Sequence, residues 1–96
     1  MSIIHLCNEI SRVSIEISKA QISANWEMLQ ILEQQQRNLL KQLPDSRHRF
    51  PKQEYTVLTT TLENALFVTQ AASFRTSEWQ KDVAVLLKAF SPTNRP

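Results

Sequence analysis

Not one of the 96 residues is glycine. Glycine is the residue that enters left-handed backbone angles freely, so the turns of this chain are expected to use ordinary negative φ values. A phosphate-cradling loop cannot be built without it, which excludes the dinucleotide-binding and P-loop folds. Tight hairpin turns of the Asn-Gly or Asp-Gly kind are absent as well, so a sheet has no support. The four prolines stand at 44, 51, 92 and 96, leaving 1–43 and 52–91 free of helix breakers. The chain is therefore predicted to be all-α.

Hydrophobic spacing divides those stretches. Ile3, Leu6, Ile10, Val13, Ile17 and Ala20 recur at alternating steps of three and four, the seam of an amphipathic helix over about 2–22. Ser23, Ala24 and Asn25 interrupt it and supply N-cap side chains ahead of Trp26 and Glu27. A second helix over about 25–43 then carries Leu29, Leu32, Gln36, Leu39 and Leu43, with Met28, Ile31 and Leu40 widening its stripe and Pro44 ending it. The short link makes the two helices antiparallel neighbours. Trp26 is expected in the core, and Glu33 is placed to pair with Arg37 one turn on.

Residues 44–51, PDSRHRFP, form a connecting loop in which Arg47, His48 and Arg49, with Lys52 just beyond, make a solvated basic cluster. From there Tyr55, Leu58, Leu62, Ala65, Thr69, Ala72, Thr76, Trp79, Val83, Leu86 and Phe90 alternate three and four without a stutter. One helix over about 52–90 satisfies this spacing and gives an antiparallel three-helix bundle with a long third helix, occupying 1–96 as one domain with a frayed tail at 91–96. Ser77-Glu78-Trp79-Gln80 also reads as a capping box, and a break near residue 76 would create a fourth helix. An unbroken third helix would overhang its partners, so Trp79, Val83, Leu86 and Phe90 would need a folded-back arrangement, a client, or a second copy pairing through the distal part of that helix.

Nothing in the residues suggests catalysis. His5 and His48 are the two histidines, on separate elements, and neither has both an acid partner and a nucleophile, so the chain is not expected to be an enzyme. No metal or cofactor is implied. A lone cysteine, Cys7, fits a small core residue in a reducing cytoplasm. With 11 basic and 9 acidic residues the charge is too balanced to argue for nucleic acid. The short apolar start rules against a signal peptide or membrane span, and the expected location is cytoplasmic.

On the third segment, Phe67 and Phe74 fall seven apart at the position farthest from a neighbouring helix, beside Asn64, Val68 and Ala71. Either the apolar stripe is wide enough for one ring to be partly covered, or these five residues form a surface that receives an amphipathic helix of a partner protein.

Asn25-Trp26-Glu27-Met28-Leu29, followed by Arg37-x-Leu39-Leu40-x-x-Leu43, resembles the second helix of the FliT family of flagellar type III export chaperones. Thr60-Thr61-Leu62-Glu63-Asn64-Ala65-Leu66, continuing to Arg75 and Glu78, is similar to that family's third helix. The two matches cover about half of the chain. The resemblance implies a helical export chaperone that binds and shields a filament-cap client in the cytoplasm and hands it to the export machinery. Longer members carry a further C-terminal helix, so autoinhibition and transcriptional control are not carried over. Two other readings stay open: a small helical chaperone or structural subunit of a needle-type secretion system, and a regulatory module that binds protein or nucleic acid, the latter through Arg47, Arg49 and Lys52.

Overall fold

The computed structural model describes residues 3–43, 51–70 and 78–90, and every element among them is an α-helix. They are α1 (Ile3–Ile22), α2 (Trp26–Lys41), α3 (Lys52–Gln70) and α4 (Glu78–Phe90). The break placed near residue 76, and the positions Ala72 and Thr76, lie outside the described residues.

The spacing of α1 translates directly into burial: Ile3, Leu6, Ile10, Val13, Ile17 and Ala20 are all buried. α1 ends without glycine, and this overturns the expectation that left-handed backbone would be avoided. Ala24 has φ 55°. Around it the Asn25 amide donates to the Ala20 carbonyl at 2.9 Å and the Ala24 amide to Gln21 at 3.2 Å, which satisfies carbonyls that the last turn leaves unpaired. Asn25 then caps α2, its Oδ1 accepting the Met28 amide at 3.3 Å.

In α2 the buried residues are Leu32, Gln36 and Leu40, while Leu29, Leu39 and Leu43 pack against the core from its edges. Trp26, expected in the core, is 62% exposed, and Met28 and Ile31 are exposed too. The reason is geometric. Trp26, Leu29 and Leu32 are separated by two successive steps of three, which turn Trp26 roughly 120° away from Leu32 at 3.6 residues per turn.

Of the two readings of the third segment, the structure has the fourth helix and not the unbroken one. Unbroken from 52 to 90 it would measure about 58 Å at 1.5 Å per residue, whereas the longest dimension of the molecule is 42 Å. The Gln80 amide also donates to Thr69 Oγ1 at 2.7 Å, although eleven residues of straight helix would hold them about 16 Å apart along the axis. The distal stripe therefore folds back: Trp79, Val83 and Phe90 are buried against α2 and α3 in the same core as Leu58 and Leu62. Among the described residues the distal stripe is thus covered within the chain itself, with Leu86 half-buried.

Around the bundle the helices follow the order α2, α1, α3, α4, with α1 packed on α2 and most extensively on α3, and α4 on α3 and α2. α1 and α2 run antiparallel, a groove between them matching Glu9 and Arg12 with Gln42, Asn38 and Gln35. α2 and α4 run in the same direction, so that Arg37 and Leu40 face Asp82 and Leu86. The chain thus forms two hairpins, α1–α2 and α3–α4, and sequential neighbours α2 and α3 stand on a diagonal.

Each hairpin holds a buried glutamine. Gln36 Nε2 donates to Ser14 Oγ at 2.8 Å, and Ser14 donates onward to the Ile10 carbonyl at 2.6 Å. Gln80 Nε2 donates to Thr69 Oγ1, which donates to the Ala65 carbonyl at 2.7 Å. A hydroxyl that has already spent its proton on its own helix is a ready acceptor for each side-chain amino group, while the Gln36 Oε1 is buried without a partner among the described residues.

Candidate interaction surface

On α3, Leu58, Thr61, Leu62, Ala65 and Thr69 are buried. At about 100° per residue, Phe67 lies diametrically opposite the middle of that arc, and its ring is 75% exposed. Asn64 is exposed and Val68 half-buried on the flank between Phe67 and the buried side. Three of the five residues picked out on the third segment therefore share the outward side of α3. The other two, Ala71 and Phe74, lie outside the described residues.

The structure adds a stripe on α1. Ile4, Ile15 and Ile22 are spaced eleven and seven apart, which places them within about 20° of one line, and Ile15 is 50% and Ile22 76% exposed. Asn8, Ser11 and Ser18 lie within about 40° of that line. The charged residues of α1 are turned about 60° or more away from Ile4 and Ile22 and are occupied with each other, Glu9 with Arg12 at 3.0 Å and Glu16 with Lys19 at 3.6 Å.

α1 and α3 meet where Cys7 faces Thr61. Burial pushes the Cys7 thiol above its ordinary value, and a side-chain hydrogen bond with Thr61 acts in the opposite direction. Val57 and Val68 flank Thr61, as Ser11 and Ser18 flank Cys7. The junction therefore opens onto a face walled by Ile4, Ile15 and Ile22 on one side and by Val57, Asn64 and Val68 on the other, with Phe67 beyond. Sequence reasoning missed the α1 half. Its signal was present in α1 carrying more isoleucine than one seam can absorb.

Trp26, four residues past the exposed Ile22, extends apolar surface around the end of the bundle where α1 passes into α2. Isolated exposed hydrophobic residues are ordinary, but an uncharged run of them along two adjacent helices is the usual mark of a protein contact. Comparison of the chain with protein-family models, with curated proteins and with solved structures finds no match.

No described helix is long and apolar enough to cross a membrane.

Proposed function

We propose that this chain is a non-enzymatic export chaperone that holds an amphipathic helix of a client protein across the α1–α3 face. The observation that carries the reading is the Phe67 ring, three-quarters exposed on a helix whose opposite side is buried. Aromatic side chains of this kind anchor helix-in-groove contacts, and the surrounding isoleucines and valines supply the apolar area that such a contact buries. The client class follows from the resemblance in the second and third helices to flagellar export chaperones: a filament-cap type protein, shielded in the cytoplasm before type III secretion.

Co-expression with the filament-cap protein encoded in the same genome tests this. The pair should co-purify, and because burial of apolar surface drives the contact, the complex should persist at about 0.5 M salt. Phe67→Ser should weaken it at least about thirtyfold, an anchor being worth about 2 kcal/mol, while thermal unfolding stays within a degree or two. A large fall in melting temperature would instead make Phe67 a core residue. An undiminished complex would remove the face from the contact.

A further inference from the structure

On the side of the bundle opposite the α1–α3 face, α2 and α4 enclose a groove of about 340 Å³ lined by Arg37, Leu40, Lys41, Asp82, Val85 and Leu86. Its floor is hydrocarbon from Leu40 and Leu86, and Val85 stands on its lip 68% exposed. Its α2 wall is cationic.

The expected pair of Arg37 with Glu33 does not form. Arg37 reaches across to α4, and it does so through Nε alone, which meets Asp82 Oδ2 at 3.2 Å. Both terminal amino groups of the guanidinium are left without a partner among the described residues. Lys41, one turn further along α2, is exposed and has no ion pair among them either. Two sets of cationic donors thus border a floor of leucine, with Asp82 already engaged by Arg37. A guanidinium with both amino groups free is shaped to receive a carboxylate in two hydrogen bonds.

We propose that this groove is a second docking site, distinct from the α1–α3 face, for an amphipathic helix of a partner protein that carries an acidic edge. One apolar side chain of that helix packs on Leu40, Leu86 and Val85, and one or two carboxylates are held by Arg37 and Lys41. Charge complementarity selects this occupant. A second copy of the chain would bring Arg37 and Lys41 against a protein whose own net charge is +2, and a wholly apolar helix would bury Lys41 without a counter-charge and leave the Arg37 amino groups without acceptors.

Isotope-labelled full-length protein titrated with a synthetic helical peptide bearing a leucine pair flanked by glutamates one turn apart provides the test. Amide shifts should move at Arg37–Lys41 and Asp82–Leu86 while Ile15 and Phe67 stay still. A peptide with lysine in place of each glutamate should not bind. Lys41→Glu and Val85→Asp, both at exposed positions, should each weaken binding about tenfold, equivalent to 1.4 kcal/mol, without lowering the melting temperature. Raising salt from about 0.05 to about 0.5 M should weaken it further, because the ion pairs lie at the rim. Shifts confined to Ile15 and Phe67, equal binding of the lysine peptide, or binding unaffected by both substitutions would each overturn the proposal. None of these outcomes bears on the client contact at Phe67, which is read by co-purification at high salt.

Discussion

Replacing Ala24 by glycine should make this protein more stable. Ala24 is locked at φ 55° from both sides, by the 2.9 Å and 3.2 Å hydrogen bonds that close α1 and by Asn25, which must stay in place to cap α2. Holding an L-residue with a Cβ in the left-handed region costs about 1–2 kcal/mol. Glycine removes that strain but loses more backbone freedom on folding, about 0.5–1 kcal/mol relative to alanine. The difference leaves a net gain of about 0.5–1 kcal/mol, which for a domain of this size raises the melting temperature by roughly 2–8 °C. Thermal unfolding followed by circular dichroism measures it, with Ala24→Val as the counterpart. A β-branched residue is the least tolerant of positive φ, so valine should lower the transition by more than glycine raises it. A glycine variant that melts no higher than the parent, or a valine variant that melts with it, would refute the argument.

The two tryptophans should separate cleanly. Trp79→Ala is expected to cost about 3–5 kcal/mol as a core truncation and Trp26→Ala no more than about 0.5 kcal/mol as a surface change, measured by urea unfolding. Trp79→Phe should cost far less than Trp79→Ala, since the buried indole N–H has no hydrogen-bond partner among the described residues and its removal loses no bond there. Gln36→Leu should be nearly neutral, because Ser14 keeps its bond to Ile10 and the buried amide oxygen, without a partner among the described residues, disappears, whereas Gln36→Ala should cost about 2–4 kcal/mol through the space it leaves. The Cys7 thiol has its folded value raised by burial, so the unfolded chain gives up this proton first as pH rises. Stability should hold below the ordinary thiol range and fall as pH climbs through it, and in the native protein Cys7 should react with thiol reagents far more slowly than in the denatured one. Chemical unfolding between about pH 7 and pH 10 would check the first, and an uninterrupted plateau there would contradict it.

Much of the fold was legible because helical burial follows spacing. Every residue of the α1 seam is buried, and on the third segment the described positions from Leu58 to Thr69 and Trp79, Val83 and Phe90 are buried too. What spacing cannot register is direction. An apolar face that continues at steps of three and four looks the same whether the helix runs on or turns back, since α4 presents the same stripe to α2 and α3 after reversing. That is why spacing left an overhanging third helix and a fourth helix both open, and the structure has the fourth helix. Long-range charge pairing was equally hidden: Glu33 lies within reach of Arg37 along α2, but only the return of α4 brings Asp82 there. Of the interaction surface, Asn64, Phe67 and Val68 were visible as positions turned away from their neighbours. The isoleucines of α1 were not, because assigning one stripe to the core drew attention from the second.

The paired glutamines have a consequence for how the molecule is made. Each side-chain amino group donates to a hydroxyl within its own hairpin, Gln36 to Ser14 and Gln80 to Thr69, so neither half waits on the other for that buried bond. A nascent chain that has cleared the ribosome as far as Leu43 already holds both ends of the first latch. It can fix its register and then wait, with one apolar flank unfilled, for the second hairpin to arrive.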